Sequence, residues 1–481
     1  MIRSLKLVAL AFFACALSAC GETEGPAVSE GDRRYGAEQH PQLLAEFGGS
    51  YDKEEATYLR QVGAKITLAA GLEDKCTFTL VNSDVVNAFA VPGCYIYVTR
   101  GLLSIVNSEG QLASVLAHEV GHIAGNHSER QQRGSLWRSL GVLAIGSITG
   151  SQELGKLAGA AANLFDLRYS RTHEYEADDL GLVYLRDAGY DPYAATDMLA
   201  ALDRHSGFLA RARGDQDAKA IPEWAATHPE TRNRIARARK AAEETGLKAN
   251  SLPEFEGRYL DHVDGLLYGD DPVQGFVLGR QFAHPDMGIA FEAPPGFTLT
   301  NSPQAVRIDG PDGLRGEFAG GPLPPGGLVS YAEALVARLL GGTPAELGPV
   351  RQRIVNGVPA ILAEAIVPTP EGAVALSIAA YAAEKGAAYH FIMVSKPASE
   401  PASAIGALFR SFRLLAAGEA ASLKPRFIRT REIAPGETWS SLAGLMATDR
   451  GLETLLTLNG RSAEDPPRPG APVKLVQLGP S

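Results

Sequence analysis

His118-Glu119-Val120-Gly121-His122 sets two imidazoles on either side of a carboxylate. On a helix the i, i+4 spacing puts both rings on one face, because a turn takes about 3.6 residues. Two neutral imidazoles so placed can hold Zn²⁺, and Glu119 can reach a water beside the metal. Zinc lowers the pKa of that water toward roughly 7 and polarises a carbonyl, while a carboxylate takes the water's proton and passes it to the leaving amine. That is the chemistry of peptide-bond hydrolysis. The same five residues would also describe two helix-face histidines beside a solvated glutamate, so a third donor has to decide.

An extended HExxHxxGxxH spacing would supply a third imidazole. Gly125 falls at its glycine, but Ser128 stands at its last histidine and His127 is one residue out of register. One residue rotates a helical side chain by about 100°, which makes His127 a surface or substrate-side residue. Glu174, in Ser170-Arg171-Thr172-His173-Glu174-Tyr175-Glu176-Ala177-Asp178, is the better third ligand. Asp178, one turn later, can accept a hydrogen bond from a ligating imidazole and fix its tautomer. Glu176 lies about 200° round from Glu174 and belongs to a solvated face.

The elements that must carry these residues are legible around them. Residues 108–126 read as a helix with Gly125-Asn126 as its stop, followed by helices over 167–186 and 193–205, the latter opened by Asp191 and Pro192. Residues 52–70 are amphipathic through Leu59, Val62, Ile66 and Leu68, and 76–80 and 94–99 carry strand patterning around Pro92-Gly93. Residues 137–165 are rich in Gly, Ala and Leu but interrupted by Ser147, Gln152, Glu153 and Lys156. They suit a buried or site-covering helical hairpin better than a membrane span.

The chain has 481 residues and a net charge of −10, with 45% hydrophobic and 21% charged residues, too long for a single core. The acidic balance without a basic stripe removes nucleic-acid binding. Arg3 and Lys6, an apolar run over 7–17 and then Ser18-Ala19-Cys20 make 1–19 a secretory signal. It resembles the bacterial lipoprotein type, with Cys20 acylated and Gly21 implying the outer membrane. Residues 20–41 then form a polar tether to a body in the periplasm. Cys76 and Cys94 are left as an even pair, either a disulfide or two buried thiols. Turn residues, including Gly269-Asp270-Asp271-Pro272, mark 251–279 as a linker between a 42–250 domain and a 280–416 α+β domain.

Taken together, Asn87-Ala88-Phe89-Ala90, Pro92-Gly93, Gly101-Leu102-Leu103, His118 to His122, Ser170-Arg171 with Glu174 to Asp178, and Thr227-His228-Pro229 with Arg234 resemble the M48 zinc metallopeptidases. The resemblance implies a mainly α-helical, gluzincin-type domain with a small sheet over 42–250. It implies one zinc on His118, His122 and Glu174, with Glu119 as general base. It also brings His228 and Arg234 to the reacting centre, His228 as oxyanion stabiliser or as a reversible block of the open metal position. An edge strand, 87–90 or 95–98, would receive extended substrate. Where the family has a second glycine after Pro-Gly this chain has Cys94, whose Cβ restricts the turn and favours pairing with Cys76. Residues 280–416 loosely resemble small modules of the Mog1/PsbP type. Residues 426–478, with Pro435-Gly436-Glu437-Thr438-Trp439 and Leu458-Asn459-Gly460, resemble a βααβ LysM module, which implies contact with peptidoglycan; Trp439 belongs to its core.

The sequence therefore describes a multidomain α+β protein: an outer-membrane-anchored, zinc-dependent endopeptidase acting in the periplasm on misfolded or unassembled envelope proteins. A wall-tethered chaperone or assembly scaffold with a closed zinc site is the alternative. A glycan-cleaving enzyme would need a carboxylate pair placed for sugar chemistry, and none stands out.

Overall fold

The computed structural model describes residues 28–135, 169–212, 224, 227–229, 231–340, 348–369, 372–383, 386–395 and 402–479. The signal at 1–19, Cys20 and the hairpin expected over 137–165 lie outside the described residues. In chain order the first elements are α1 (Glu30–Glu46), α2 (Glu54–Ala69), β1 (Thr77–Val81), β2 (Ala88–Val91), β3 (Tyr95–Thr99), α3 (Arg100–Ile105), α4 (Glu109–Ala124) and α5 (His127–Ser135). After these come α6 (Arg171–Asp187), α7 (Tyr193–Ala212), α8 (Thr231–Glu244) and α9 (Glu256–Val263).

Leu59, Val62 and Ile66 on α2 and Leu112, Leu116 and Val120 on α4 share one buried core, as their helical spacing requires. The small sheet has the order β1-β3-β2, with β3 parallel to β1 and antiparallel to β2. Tyr95 to Val98 are therefore paired on both sides and cannot be the edge; that position belongs to β2. Cys76 and Cys94 are joined in a disulfide across the start of β1 and β3, their Cα atoms 4.6 Å apart. Cys94 takes a left-handed φ of 61°, the conformation a glycine would adopt without a Cβ penalty.

The tether expected over 20–41 is helical from Glu30, with Ser29 capping through Asp32 N. Its polar surface hides few anchors, chiefly Leu43, which packs with Val81, Phe89, Val91 and Tyr97 on the outer face of the sheet. Residues 251–279 are likewise not a linker. They hold α9, β4 (Leu267–Tyr268) and β5 (Phe276–Leu278). Tyr259 on α9 is fully buried and donates its hydroxyl to Leu103 O at 2.6 Å. A single turn-flanked amphipathic helix leaves too short a periodicity to stand out against its Gly and Pro neighbours.

The next domain runs through β6 (Gln281–His284), β7 (Ile289–Glu292), β8 (Thr298–Asn301), β9 (Val306–Asp309), β10 (Arg315–Pro322), α10 (Gly327–Leu340), β11 (Arg351–Val355), β12 (Val358–Thr369), β13 (Gly372–Ala382), β14 (Ala387–Ser395), α11 (Ala402–Ser411) and β15 (Arg413–Leu414). One antiparallel sheet has the order β11-β12-β13-β14-β10-β9-β8 and a second β15-β7-β6-β5. Phe291, Phe318, Phe391 and Phe412 fill the core beneath α11.

The chain then forms α12 (Ala417–Ser422), β16 (Arg426–Glu432), α13 (Trp439–Ala443), α14 (Gly451–Leu458) and β17 (Pro472–Leu478). This strand–helix–helix–strand unit is bound into the first domain. β16 pairs with both β17 and β4, and Ile428, Leu458 and Val476 join the core of α2 and α4. Lys474 on β17 is fully buried, and its Nζ donates to Ser104 O at 2.7 Å and Val106 O at 2.6 Å, closing the C-terminus of α3. Trp439 is buried and donates to Asp465 O.

Asp270 sits where the three units meet: its carboxylate accepts from Val277 N at 3.2 Å and lies 3.9 Å from Arg426, near Asp84 and Arg100. Burial, and then the charge of Asp84, push its pKa up to about 7.

Two outcomes follow. Lys474→Met leaves two carbonyls at the end of α3 without their donor, and urea unfolding of the full chain should show a loss of roughly 2 kcal/mol. For Asp270, a folded-state pKa above the unfolded value means the native state holds more protons between about pH 4 and 7. Stability should fall as pH rises through that window, and Asp270→Asn should flatten the slope in denaturation curves taken from pH 4.5 to 8.

Candidate metal centre

Helix α4 begins at Ser108, whose hydroxyl accepts from Gln111 N, and its apolar residues pack inward. Helix α6 begins at Ser170, capping through His173 N, so Glu174 lies in the first turn, where the helix dipole favours a carboxylate. The two helices can meet because glycine stands at both contacts. A Cβ at position 121 would lie 2.7 Å from Ala177 O, and one at position 181 would lie 3.0 Å from His118 N.

This approach brings Glu174 against His118 and His122, and the turn before α8 adds His228; all four are buried, with potential donor atoms within 4.8 Å of one another. His118 Nε2 is 3.0 Å from His122 Nε2 and 3.3 Å from His228 Nδ1. Glu174 Oε2 is 3.1 Å from His228 Nδ1 and 3.7 Å from His118 Nε2, and Glu174 Oε1 is 3.5 Å from His122 Nε2. Tetrahedral zinc with bonds of about 2.0 Å needs donors about 3.3 Å apart. Three imidazoles and a carboxylate at these separations fit zinc in number, chemistry and spacing.

The layer behind the donors is polar and paired. His118 Nδ1 lies 2.9 Å from Asp178 Oδ1. Arg234 donates to both Asp178 oxygens at 2.8 and 2.7 Å and lies 2.7 Å from Glu174 Oε2. Burial opposes the charge on Asp178 and Glu174, but Arg234, with His228 in the case of Glu174, overrides it and holds both below the usual carboxylate range. His228 is stacked on Trp224 with ring centroids 4.2 Å apart, and its backbone N–H donates to Trp224 O at 2.7 Å. Burial alone would lower its pKa, yet the neighbouring Glu174 carboxylate raises it.

Glu119 is fully buried, and among the described residues neither carboxylate oxygen has a hydrogen-bond partner. Its Oε1 lies 3.7 Å from His228 Nε2, and burial raises its pKa. A buried carboxylate without a donor is costly, so its position calls for a proton or a water.

The structure thus gathers His118, Glu119, His122, Glu174, Asp178, His228 and Arg234 into one cluster. Sequence reasoning misplaced His127: it is fully buried, with Nδ1 2.9 Å from His122 Nδ1. Helix α4 stops at Gly125 and Asn126 turns left-handed with φ 51°, so a helical rotation no longer applies at position 127. The Gly-Asn stop was the signal for this. Burial, then the neighbouring His173, push the His127 pKa down to about 4. Trp224 and Tyr169, which stacks on His122 at 3.9 Å, carried no motif to reveal them.

Gly121→Val should force α4 and α6 apart. Metal analysis of the purified variant should show loss of bound zinc, together with destabilisation of about 2 kcal/mol from overpacking.

Residues 53–242 match Peptidase family M48. The chain is similar to the beta-barrel assembly-enhancing protease of Yersinia pestis, at 30% identity over 202 residues that cover 40% of each protein. It is similar to the mitochondrial metalloendopeptidase OMA1 of Schizosaccharomyces pombe at 26% identity, covering 45% of this chain and 63% of that one. Among solved structures, cyanobacterial PsbP from Synechocystis covers 29% of this chain and 98% of its own at 15% identity, with a TM-score of 0.24. The chain thus spans 40% and 63% of the lengths of the two curated relatives. The match and these metalloendopeptidase relatives support a zinc metalloprotease hydrolase, with the zinc site inside the matched region.

Proposed function

We propose that the chain is a zinc metalloendopeptidase that cleaves misfolded or unassembled envelope proteins in the periplasm, where Cys20 anchors it to the outer membrane. The observation that carries the reading is Glu119, buried beside the donor cluster without a hydrogen-bond partner among the described residues. A purely structural zinc site has no use for such a carboxylate. The relatives named for β-barrel assembly favour outer-membrane polypeptides as clients. The C-terminal unit would bring the protease to peptidoglycan.

His118, His122 and Glu174 would hold the zinc, which when bound supplies Lewis acidity toward a carbonyl and a polarised water. Glu119, with its pKa raised by burial, takes a proton from water and delivers it to the leaving amine. Asp178 fixes the His118 ring, and Arg234 holds the charges of Asp178 and Glu174 in place. A catalytic zinc site keeps one position open. His228 would take that position, its Nδ1 standing 3.3 Å from His118 Nε2 and 3.1 Å from Glu174 Oε2, and would then have to leave for substrate to enter; this favours the blocking role over oxyanion stabilisation.

The same four-donor closure favours a second reading, a chaperone or assembly scaffold whose zinc is structural. Proteolysis of an unfolded outer-membrane protein by the full chain, beside Glu119→Gln at equal zinc content, separates the two. A peptidase should lose activity by about 10²- to 10⁴-fold in the variant, and His228→Ala should raise the rate of the parent. If both proteins are inert while suppressing client aggregation, the scaffold reading replaces it.

A further inference from the structure

We infer that His127 is a positioning residue of the metal centre: its imidazole, backed by Glu176 and Arg130, accepts the Nδ1 proton of His122 and holds His122 Nε2 toward the metal. The inference rests on the zinc reading above.

Each ligating imidazole needs a partner behind it, since the nitrogen that faces the metal is set by the hydrogen bond the other nitrogen makes. His118 has the Asp178 carboxylate at 2.9 Å. Among the described residues His122 has no carboxylate at Nδ1; it has His127 Nδ1 at 2.9 Å. At that distance one nitrogen must donate and the other accept. His122 Nε2 belongs to the donor cluster, 3.0 Å from His118 Nε2, and has to be unprotonated there. The proton of a neutral His122 ring is then on Nδ1, and His127 Nδ1 is its acceptor.

The His127 proton consequently sits on Nε2, which lies 3.3 Å from Glu176 Oε2. That carboxylate also receives Arg130 Nη1 at 2.8 Å. The His127 ring is held by stacking on His173, with centroids 4.6 Å apart and planes 12° from parallel. The two ligand histidines therefore have supports of different length and tightness, since the contact of His127 Nε2 with Glu176 is at ion-pair distance without the geometry of a hydrogen bond. His118 is backed by a carboxylate and then Arg234; His122 is backed by an imidazole, then a carboxylate and then Arg130. The second support reaches the surface, where the Glu176 side chain is 39% exposed.

The test measures zinc affinity of the full chain by chelator competition, together with the visible absorption of the Co²⁺-substituted protein. The parent has to bind zinc first; if it does not, the metal-centre reading fails whatever His127 does. Given binding, His127→Phe should weaken zinc about 10- to 100-fold and shift the Co²⁺ bands, because the acceptor is gone while a ring remains. His127→Asn, whose Oδ1 can stand in for Nδ1 as acceptor, should recover most of the affinity and the parent spectrum, which a merely space-filling role would not allow. Glu176→Gln should give a smaller loss in the same direction. Parent-like affinity and spectrum in His127→Phe would overturn the inference. Should that variant fail to fold, unchanged affinity in Glu176→Gln overturns it instead, since that side chain is half in solvent.

Discussion

Everything at the metal centre depends on how closely two helices can lie. Zinc donors must come within a few ångströms of each other, whereas helix axes ordinarily pack about 8–10 Å apart with side chains between them. Glycine at 121 and 181 removes the side chains at the contact. The backbone of α6 then rests against that of α4, and short reaches from Glu174 and Asp178 suffice. A longer gap would require longer, less ordered side chains, and the placement of ligands would be lost to rotamer freedom.

Around that contact the charges are arranged so that each one finds its opposite without water. Arg234 sits fully buried between Asp178 and Glu174. An isolated guanidinium there would be costly to desolvate, as would either carboxylate alone. Glu119 makes no hydrogen bond within this pairing among the described residues; its one ionic neighbour is His228, whose Nε2 lies 3.7 Å from Oε1 while Nδ1 faces Glu174.

Much of this was legible in the residues, and for identifiable reasons. His118, His122, Glu174 and Asp178 lie on uninterrupted helices, where spacing translates directly into direction. The strands and helices of the 280–416 domain, such as β13 and α10, carry enough consecutive apolar positions to be read locally. His127 was misjudged because the helix ends at Ala124, with Gly125 and the left-handed Asn126 standing between. The helices α1 and α9 were missed because each is anchored by only a few apolar residues. The embedding of the last strands in the first domain could not be read at all. Pairing β16 with β4 brings together segments separated by a whole domain, and no local pattern encodes that partner.

That embedding has a consequence for how the protein comes into being. Ile428, Leu458 and Val476 complete the same core that supports α4, and Lys474 reaches back 370 residues to Ser104. Contacts so distant in sequence form late, since the loop between them must be closed first. A chain still being synthesised has its zinc-binding motifs long before it has the strands that finish their support. The donor cluster is thereby tied to completion of the polypeptide: a fragment cut short before residue 426 carries His118, Glu119, His122, Glu174 and His228 yet lacks part of the core that holds them.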